Sequence, residues 1–328
     1  MRPGRIALLV LAGVAISLAV APIARAQDYP ARQITLIAPW PAGGAVDALC
    51  RAIAPPLAER LGKSVVVENR PGAGSVIGTA AGARAAADGY TLVMAGSGSL
   101  AISATLYKKL PYDPVKDFAP ISLPAKIPFF LVVNPSLPVH SVAELIKYAK
   151  EHPGTLSYGS GGPGSPHHLY AELLKSMTGI QMTHVPYKGS APALTDVVAG
   201  HVPLLFSDPV PALPLIREGK VRALGVSTMT RSPSAPDIAP IAEVGVPGFD
   251  AAGWGVISAP AGTPKEIVGK LQTALAGAVA LPSVQQQIIQ LGMIPEKSAT
   301  PEELQRFIDF EIARWGKVVQ QAGLAGTE

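Results

Sequence analysis

The chain has 328 residues, of which 48% are hydrophobic and 15% charged. Such a length suffices for two ordinary domains, and this composition excludes intrinsic disorder, which requires low hydrophobicity and high charge. Three arginines in the first 26 residues carry most of the formal net charge of +4, and aromatic residues are only 5%, so the rest of the chain has neither the basic patch nor the stacking surface of a nucleic-acid-binding protein.

The first 26 residues have the three parts of a secretory signal peptide. Arg2 and Arg5 precede an apolar run over 6–20, and Ala24 and Ala26 form an A-x-A cleavage site. The run is shorter than the roughly 20 residues of a membrane-spanning helix. We therefore expect export and cleavage after Ala26. The lone cysteine, Cys50, cannot form an intrachain disulfide in an oxidising compartment.

Strand and helix patterns alternate along the rest of the chain. Apolar runs predict strands at 34–38, 65–67, 90–94, 129–133, 156–158, 182–185, 204–206, 223–226 and 254–259. Helices are predicted at 47–61, between the loop 69–74 and about residue 86, and at 141–150, 264–280, 283–291 and 301–322. This alternation indicates an α/β fold with mostly parallel sheets and helices on both faces. Breaks near 126–128 and 247–248 predict two crossings between lobes.

Three helix starts carry recognisable cap residues. Ser141 with Glu144 forms a capping box. Thr263 and Thr300 each precede a proline, which predicts a threonine cap with proline at the first helical position. These signals locate helices and say nothing about function.

Four glycine-rich loops, at 39–44, 70–74, 96–99 and 159–165, each follow a predicted strand. Ligands of open α/β sheets bind at the carboxyl ends of strands, where helix N-termini offer unpaired amide donors that suit an anion. The last loop contains G-x-G-x-x-G at Gly159, Gly161 and Gly164. The next strand ends in Tyr187-Lys188 without the acid that a dinucleotide site requires, which argues against that interpretation.

Catalytic signals are weak. No serine lies in a G-x-S-x-G motif, and the six histidines include no HExxH pair. These patterns favour neither a hydrolase nor a metal site. An exported hydrolase using Ser160 or Ser165 with His168 stays open as an alternative. His168 also suits a buried structural histidine, and Lys188 suits either a solvated lysine or, with less support, a Schiff-base lysine.

Long phrases of the chain are more specific than any single loop. They include YPARQITLIAPWPAGGAVD from Tyr29, VVENRPGAGSVIG from Val66, LYKKLPYDPVKDFAPIS from Leu106 and HVPYKGSAPALTDVVAGHV from His184. In this order they resemble the Bug family, the extracytoplasmic solute receptors of tripartite tricarboxylate transporters. The resemblance implies a two-lobed periplasmic binding protein of type II, the Venus flytrap kind. Lobe 1 would comprise 27–127 and 249–328, and lobe 2 would comprise 128–248.

The resemblance further implies that the protein is not an enzyme and holds no cofactor or metal, and it implies what the protein binds. The expected ligand is a small organic anion, usually a carboxylate, and the expected partner is a membrane permease or, alternatively, a sensor protein. We expect a monomer. The ligand would lie between the 39–44 and 159–165 loops, held by backbone amides and water. The binding residues expected from lobe 1 are Trp40, Ala42, Gly43, Gly44, Ser97 and Ser99. Those expected from lobe 2 are Ser160, Gly161, Gly164, Ser165, His168, Tyr187, Lys188 and Gly189.

One departure from the family pattern concerns Ser207 and Asp208. Family members often have Phe-Asp where this chain has Phe206-Ser207-Asp208, and counting back from Gly219 places Ser207 at the usual acidic position. A serine there would donate to a second carboxylate, which favours a dicarboxylate or an aromatic carboxylate over an amino acid. Trp40, where phenylalanine is more usual, would either stack on an aromatic ligand or form a hydrophobic lid. The preference fails if Asp208 faces the pocket.

Overall fold

The computed structural model describes residues 29–328, so the predicted signal peptide and its cleavage site lie outside the described residues. The strands are β1 (Ile34–Ala38), β2 (Val65–Asn69), β3 (Thr91–Gly96), β4 (Phe118–Ser122), β5 (Ala125–Pro128), β6 (Phe130–Val133), β7 (Ser157–Ser160), β8 (Thr183–Pro186), β9 (Leu204–Ser207), β10 (Arg222–Val226), β11 (Ala252–Pro260) and β12 (Ile294–Pro295).

The helices are α1 (Ala45–Leu61), α2 (Val76–Ala83), α3 (Ser103–Leu106), α4 (Val142–Glu151), α5 (Pro166–Thr178), α6 (Ser190–Ala199), α7 (Pro209–Arg217), α8 (Lys265–Val279), α9 (Pro282–Gln290) and α10 (Pro301–Gln321). A 3-10 turn at Ala73–Ser75 precedes α2, and a π-helix at Ser97–Ile102 precedes α3. No single helix in the described range is long and apolar enough to cross a membrane; α8 and α9 reach that length only together, bent by 71°.

The strands form two separate sheets. The first has the order β12-β5-β11-β3-β1-β2, with β4 also paired to β11, and the second has the order β10-β6-β9-β7-β8. The α/β class is confirmed. The prediction of mostly parallel sheets is wrong, because only β1–β2, β1–β3, β7–β8 and β7–β9 pair in parallel. The chain leaves the first sheet along β5 and re-enters it along the neighbouring β11, so these two strands run in opposite directions.

The two passages between the sheets lie side by side. The Ser227 amide donates to the Phe129 carbonyl at 2.8 Å, and the Phe129 amide donates to the Ser227 hydroxyl at 2.9 Å. The Ala251 amide donates to the Ser227 carbonyl at 2.8 Å. The first passage, at Phe129, directly follows the predicted 126–128 break, and the second lies a few residues after the predicted 247–248 break. Short adjacent crossings of this kind let two halves rotate by changing few backbone angles.

Helix α10 contacts both halves of the molecule. Its Trp315 is buried and stacks on Tyr170 of α5, with ring centroids 5.2 Å apart. The predicted Thr300 cap is confirmed. The Thr300 amide donates to the Glu303 carboxylate at 2.8 Å, and the Glu303 amide donates to the Thr300 hydroxyl at 3.2 Å. The Thr263 prediction is wrong: that hydroxyl donates to the Pro260 carbonyl, and α8 begins one residue later than predicted.

Candidate ligand-binding cleft

A cleft of about 680 Å³, including its opening to solvent, lies between the two sheets. The first-sheet half lines it with Trp40, Pro41, Ala42, Gly44, Ala45, Val46, Gly96 and Ser97. The second-sheet half lines it with Pro166, His167, Lys188, Gly189, Ser190, Ala191, Pro192 and Asp208. The passages between the halves contribute Ile127, Phe129, Gly253 and Trp254. The cleft is therefore mostly apolar, with a few polar groups.

Helix N-termini converge on this cleft. The first residues of α1, α5 and α6 all lie on its wall, and so does the start of the π-helix at Ser97. Within α1, Ala48 is the first residue whose amide bonds back along the helix, to Gly44 at 3.0 Å. Ala45 and Val46 lie on the cleft wall, and their amides belong to the first turn, which has no acceptor further back along the helix. The aligned peptide dipoles add partial positive charge at each of these ends.

The 39–44 loop, which we call the first glycine loop, is supported from behind by Asp47. This buried carboxylate accepts the Gly43 amide at 3.0 Å, Arg51 Nε at 2.9 Å and Asn69 Nδ2 at 3.0 Å. Burial raises the pKa of Asp47, but the bonds from Gly43, Arg51 and Asn69 outweigh it and hold that pKa below its usual value. The Gly43 amide is thus engaged within the protein, while Gly44 lines the cleft.

The 159–165 loop, the second glycine loop, bonds mainly to itself. The Ser160 hydroxyl accepts the Gly162 amide at 3.0 Å, and the Ser165 hydroxyl donates to the Gly162 carbonyl at 2.6 Å. The Gly164 amide donates to His168 Nδ1 at 3.4 Å. Both serines have no exposed surface. The polar groups that sequence reasoning assigns to the ligand are used to hold the loop.

A stack of aromatic rings lies behind the second glycine loop. The His168 and His184 rings are parallel with centroids 3.9 Å apart, and His184 stacks on Tyr158 at 5.1 Å. Burial lowers the pKa of His168 to about 3 and that of His184 to about 4. Both rings are therefore neutral near pH 7. The Ser160 hydroxyl lies 2.5 Å from His184 Nε2 and therefore pairs with the His184 ring. The hydrolase alternative would require it to pair with His168 instead.

Asp208, rather than Ser207, lies on the cleft wall. Ser207 ends β9 with no exposed surface, and its hydroxyl donates to the Asp208 carbonyl at 3.2 Å. Successive side chains of a strand point to opposite faces, so at the end of β9 only one of the two can face the cleft. Because the preference for a dicarboxylate depends on Ser207 facing the ligand, the structure gives that preference no support.

The expected site residues divide into two groups. Those on the cleft wall are Trp40, Ala42, Gly44, Ser97, Lys188, Gly189 and Asp208. Gly161 and Tyr187 instead line a neighbouring cavity, and the Ser99 hydroxyl accepts the Gly96 amide at 3.2 Å. Sequence reasoning missed His167, Ser190, Phe129 and Trp254. The Gly189-Ser190 pair at the start of α6 was an available signal for one of them, since glycine and serine favour helix caps.

Two sheets joined by two short crossings, with a cleft between them, define a two-domain solute-binding protein. The chain belongs to the tripartite tricarboxylate transporter family of receptors, whose family model TctC matches residues 49–324. Receptors of this family are periplasmic and bind solutes rather than catalyse reactions. The resemblance to the Bug family is thereby confirmed.

Relatives span nearly the whole chain. Protein BugT of Bordetella pertussis is 39% identical over 319 residues, covering 96% of this chain and 97% of BugT. A UPF0065 protein from the tcbD-tcbE intergenic region of Pseudomonas sp. strain P51 is 38% identical over 313 residues, covering 94% of this chain and 93% of that protein.

Solved structures agree with this assignment. R. palustris Rpa4515 with adipate is 42% identical with a TM-score of 0.86, covering 91% of this chain and 99% of that one. The periplasmic binding protein BugD is 34% identical with a TM-score of 0.84, covering 90% and 99%. MatC from Rhodopseudomonas palustris with bound malate is 34% identical with a TM-score of 0.82, covering 89% and 100%.

Proposed function

We propose that the protein captures a small organic carboxylate in the cleft and delivers it to the membrane permease of a tripartite tricarboxylate-type transporter. Lobe 1, residues 27–127 and 249–328, and lobe 2, residues 128–248, would close on the ligand by rotating about the crossings at Phe129 and Ala251. Signal-peptide cleavage after Ala26 would release the receptor into the periplasm. The bound adipate and malate of its structural relatives support a carboxylate ligand.

The observation that carries this proposal is the convergence of helix N-termini on one apolar cleft. Amides at the start of α1 and α6, from Ala45, Val46 and Ala191, lie on facing walls. A carboxylate accepts several such donors at once without needing an arginine. Lys188, exposed at the rim, adds a positive charge that attracts an anion.

The expected affinity follows from the number of donors. Each charge-assisted hydrogen bond contributes roughly 1.5–3 kcal/mol net, and a helix N-terminus adds about 0.3–1 kcal/mol. Three or four donors, less the cost of ordering the ligand, give on the order of −8 kcal/mol, which is a micromolar Kd. The rings of Trp40, Phe129 and Trp254 on the wall would contact the carbon chain of the ligand.

The test is to delete one amide without changing a helix. Proline is tolerated at the first helical position, and the extended backbone of Gly44, with φ of −85° and ψ of 174°, is compatible with a following proline. We expect Ala45→Pro to weaken carboxylate binding about tenfold or more in isothermal titration calorimetry. The matched control is Lys265→Pro, which places proline at the first position of α8, outside the cleft.

Weaker binding in Ala45→Pro with unchanged binding in Lys265→Pro supports the proposal. Equal affinity in both variants, or no binding of any carboxylate by the unaltered protein, overturns it.

A further inference from the structure

The second-sheet wall of the cleft carries a buried acid that its own helix does not use. Asp208 is 5% exposed and lies at the N-cap of α7, yet its side chain makes no cap bond. Pro209 and Pro211 occupy the first and third helical positions and have no amide hydrogen. The start of α7 therefore offers few amide donors to the Asp208 carboxylate, and residues of other helices hold that side chain in place.

Two of those neighbours share one carboxylate oxygen. The Ser190 hydroxyl donates to Asp208 Oδ2 at 2.6 Å, and His167 Nε2 lies 3.3 Å from the same oxygen. Both residues are more than nine-tenths buried. Oδ1 of Asp208 is also buried, but no group among residues 29–328 hydrogen-bonds to it. A buried carboxylate oxygen without a donor is costly, so Oδ1 is where a bound donor stabilises the site most.

The remaining polar groups make the cleft asymmetric. His167 Nδ1 faces Gly161, because a Cβ atom built on Gly161 would lie 3.1 Å from that nitrogen. The imidazole therefore presents only Nε2 to Asp208. Lys188 is exposed at the rim. The opposite wall presents the first-turn amides of α1, beginning at Ala45. The first-sheet wall thus carries first-turn amide donors, whereas the second-sheet wall combines the Ala191 amide and Lys188 with one carboxylate acceptor, Asp208.

We propose that Asp208, positioned by Ser190 and His167, selects carboxylates that carry an ammonium group at their other end over dicarboxylates of equal length. This inference rests on the proposed function above. The ammonium group donates to Oδ1, whereas a second carboxylate at that position meets a like charge in a partly desolvated site. Selectivity here comes from repulsion of the wrong ligand as well as attraction of the right one.

The experiment compares ligands of matched length by isothermal titration calorimetry. One series is ε-aminocaproate, adipate and caproate, and the other is γ-aminobutyrate, succinate and butyrate. In at least one series we expect the amino member to bind more tightly than its dicarboxylate. Asp208→Asn should reduce that affinity ratio by about tenfold or more, because it removes the charge and leaves the shape. The control is Asp237→Asn, an equal charge change at an exposed position outside the cleft.

Ser190→Ala provides a second, milder variant. It removes one donor from Oδ2 and leaves the charge, so we expect the ratio to fall by a few-fold. If Asp208→Asn fails to fold, the affinity ratio measured in Ser190→Ala decides the test. The inference is overturned if the dicarboxylate binds more tightly than the amino acid in both series, or if the ratio is unchanged in a folded variant; carboxylate binding itself then stands. Failure of all six ligands to bind overturns the inference, whereas the proposed function is overturned only if the unaltered protein binds no carboxylate of any kind.

Discussion

The two glycine loops that face each other across the molecule look alike in sequence and differ in what their polar groups do. The first glycine loop places its supporting hydrogen bonds behind it, through Asp47, and leaves Gly44 and the start of α1 on the cleft wall. The second uses Ser160, Ser165 and His168 to bond its own backbone. A glycine-rich turn before a helix therefore becomes a binding surface only when its donors are not already satisfied internally.

Removing Asp47 is the strongest way to disturb the first glycine loop. Asp47→Ala leaves the Gly43 amide without its acceptor and removes one of the two bonds that Asn69 Nδ2 donates, the other being to the Trp40 carbonyl. We therefore expect a loss of about 3 kcal/mol in the free energy of unfolding, measured with urea. The control is Glu68→Ala, which breaks a half-exposed ion pair with Arg70 and should cost less than about 1 kcal/mol. Equal losses in the two variants would show that Asp47 does not hold the loop.

Acid should disturb the second glycine loop before the first. The folded-state pKa of His168 is about 3, below its usual value of 6.5, so the unfolded chain binds the proton first as pH falls. The contribution of His168 to the free energy of unfolding is complete above pH 6.5 and is lost as the pH falls toward 3. The loss is about 1.4 kcal/mol for each pH unit in that interval. Between pH 6.5 and 5 we expect a loss of about 2 kcal/mol from this residue. The lowered pKa of Asp47 leaves the first loop unchanged over that interval.

His168→Gln checks this assignment, because the glutamine retains a hydrogen-bond acceptor and does not titrate. Urea unfolding at several pH values should show a shallower pH dependence in the variant. A slope identical to that of the unaltered protein would mean that His168 does not cause the acid sensitivity.

The smallest expected effect tests the contact between the second glycine loop and the first-sheet half. A Cβ built on Gly74 would lie 2.9 Å from the Pro163 carbonyl oxygen. We expect Gly74→Ala to weaken ligand binding by about tenfold, because the two halves must separate slightly to admit the methyl group. Gly62→Ala is the control, since Gly62 has a similar positive φ, 67° against 58°, and nothing within 4 Å of the added atom. Calorimetric titration of both variants decides whether closure or backbone strain is responsible.

Much of the fold could be predicted from local patterns. Every predicted strand overlaps an observed one, because short apolar runs bounded by turn residues are local features of the sequence. The strands β4, β5 and β12 escaped prediction, since β4 and β5 are short and contain proline and β12 has two residues. The loop predicted at 96–99 is instead the end of β3 and the start of the π-helix. Neighbouring strands supply the hydrogen bonds that short, proline-containing segments lack locally.

The site was harder to predict than the fold. Loop positions such as Trp40 and Gly44 follow directly from a strand, a glycine-rich turn and a helix. Ser165 and His168 satisfy the same pattern, yet they are buried and bonded within the second glycine loop. The sequence pattern shows where amides and hydroxyls can face a ligand, but not whether another group reaches them first.

The sequence by itself determined the α/β class, the helix start at Thr300 and the family, because apolar period, cap residues and long shared phrases are local properties of the chain. Tertiary structure alone decided that Asp208 faces the cleft with one oxygen occupied and the other empty. Its partners lie 18 residues away, at Ser190, and 41 residues away, at His167. Which oxygens of Asp208 have hydrogen-bond partners depends on residues that are close in space and distant in sequence. These partners meet only when α5, α6 and β9 pack together.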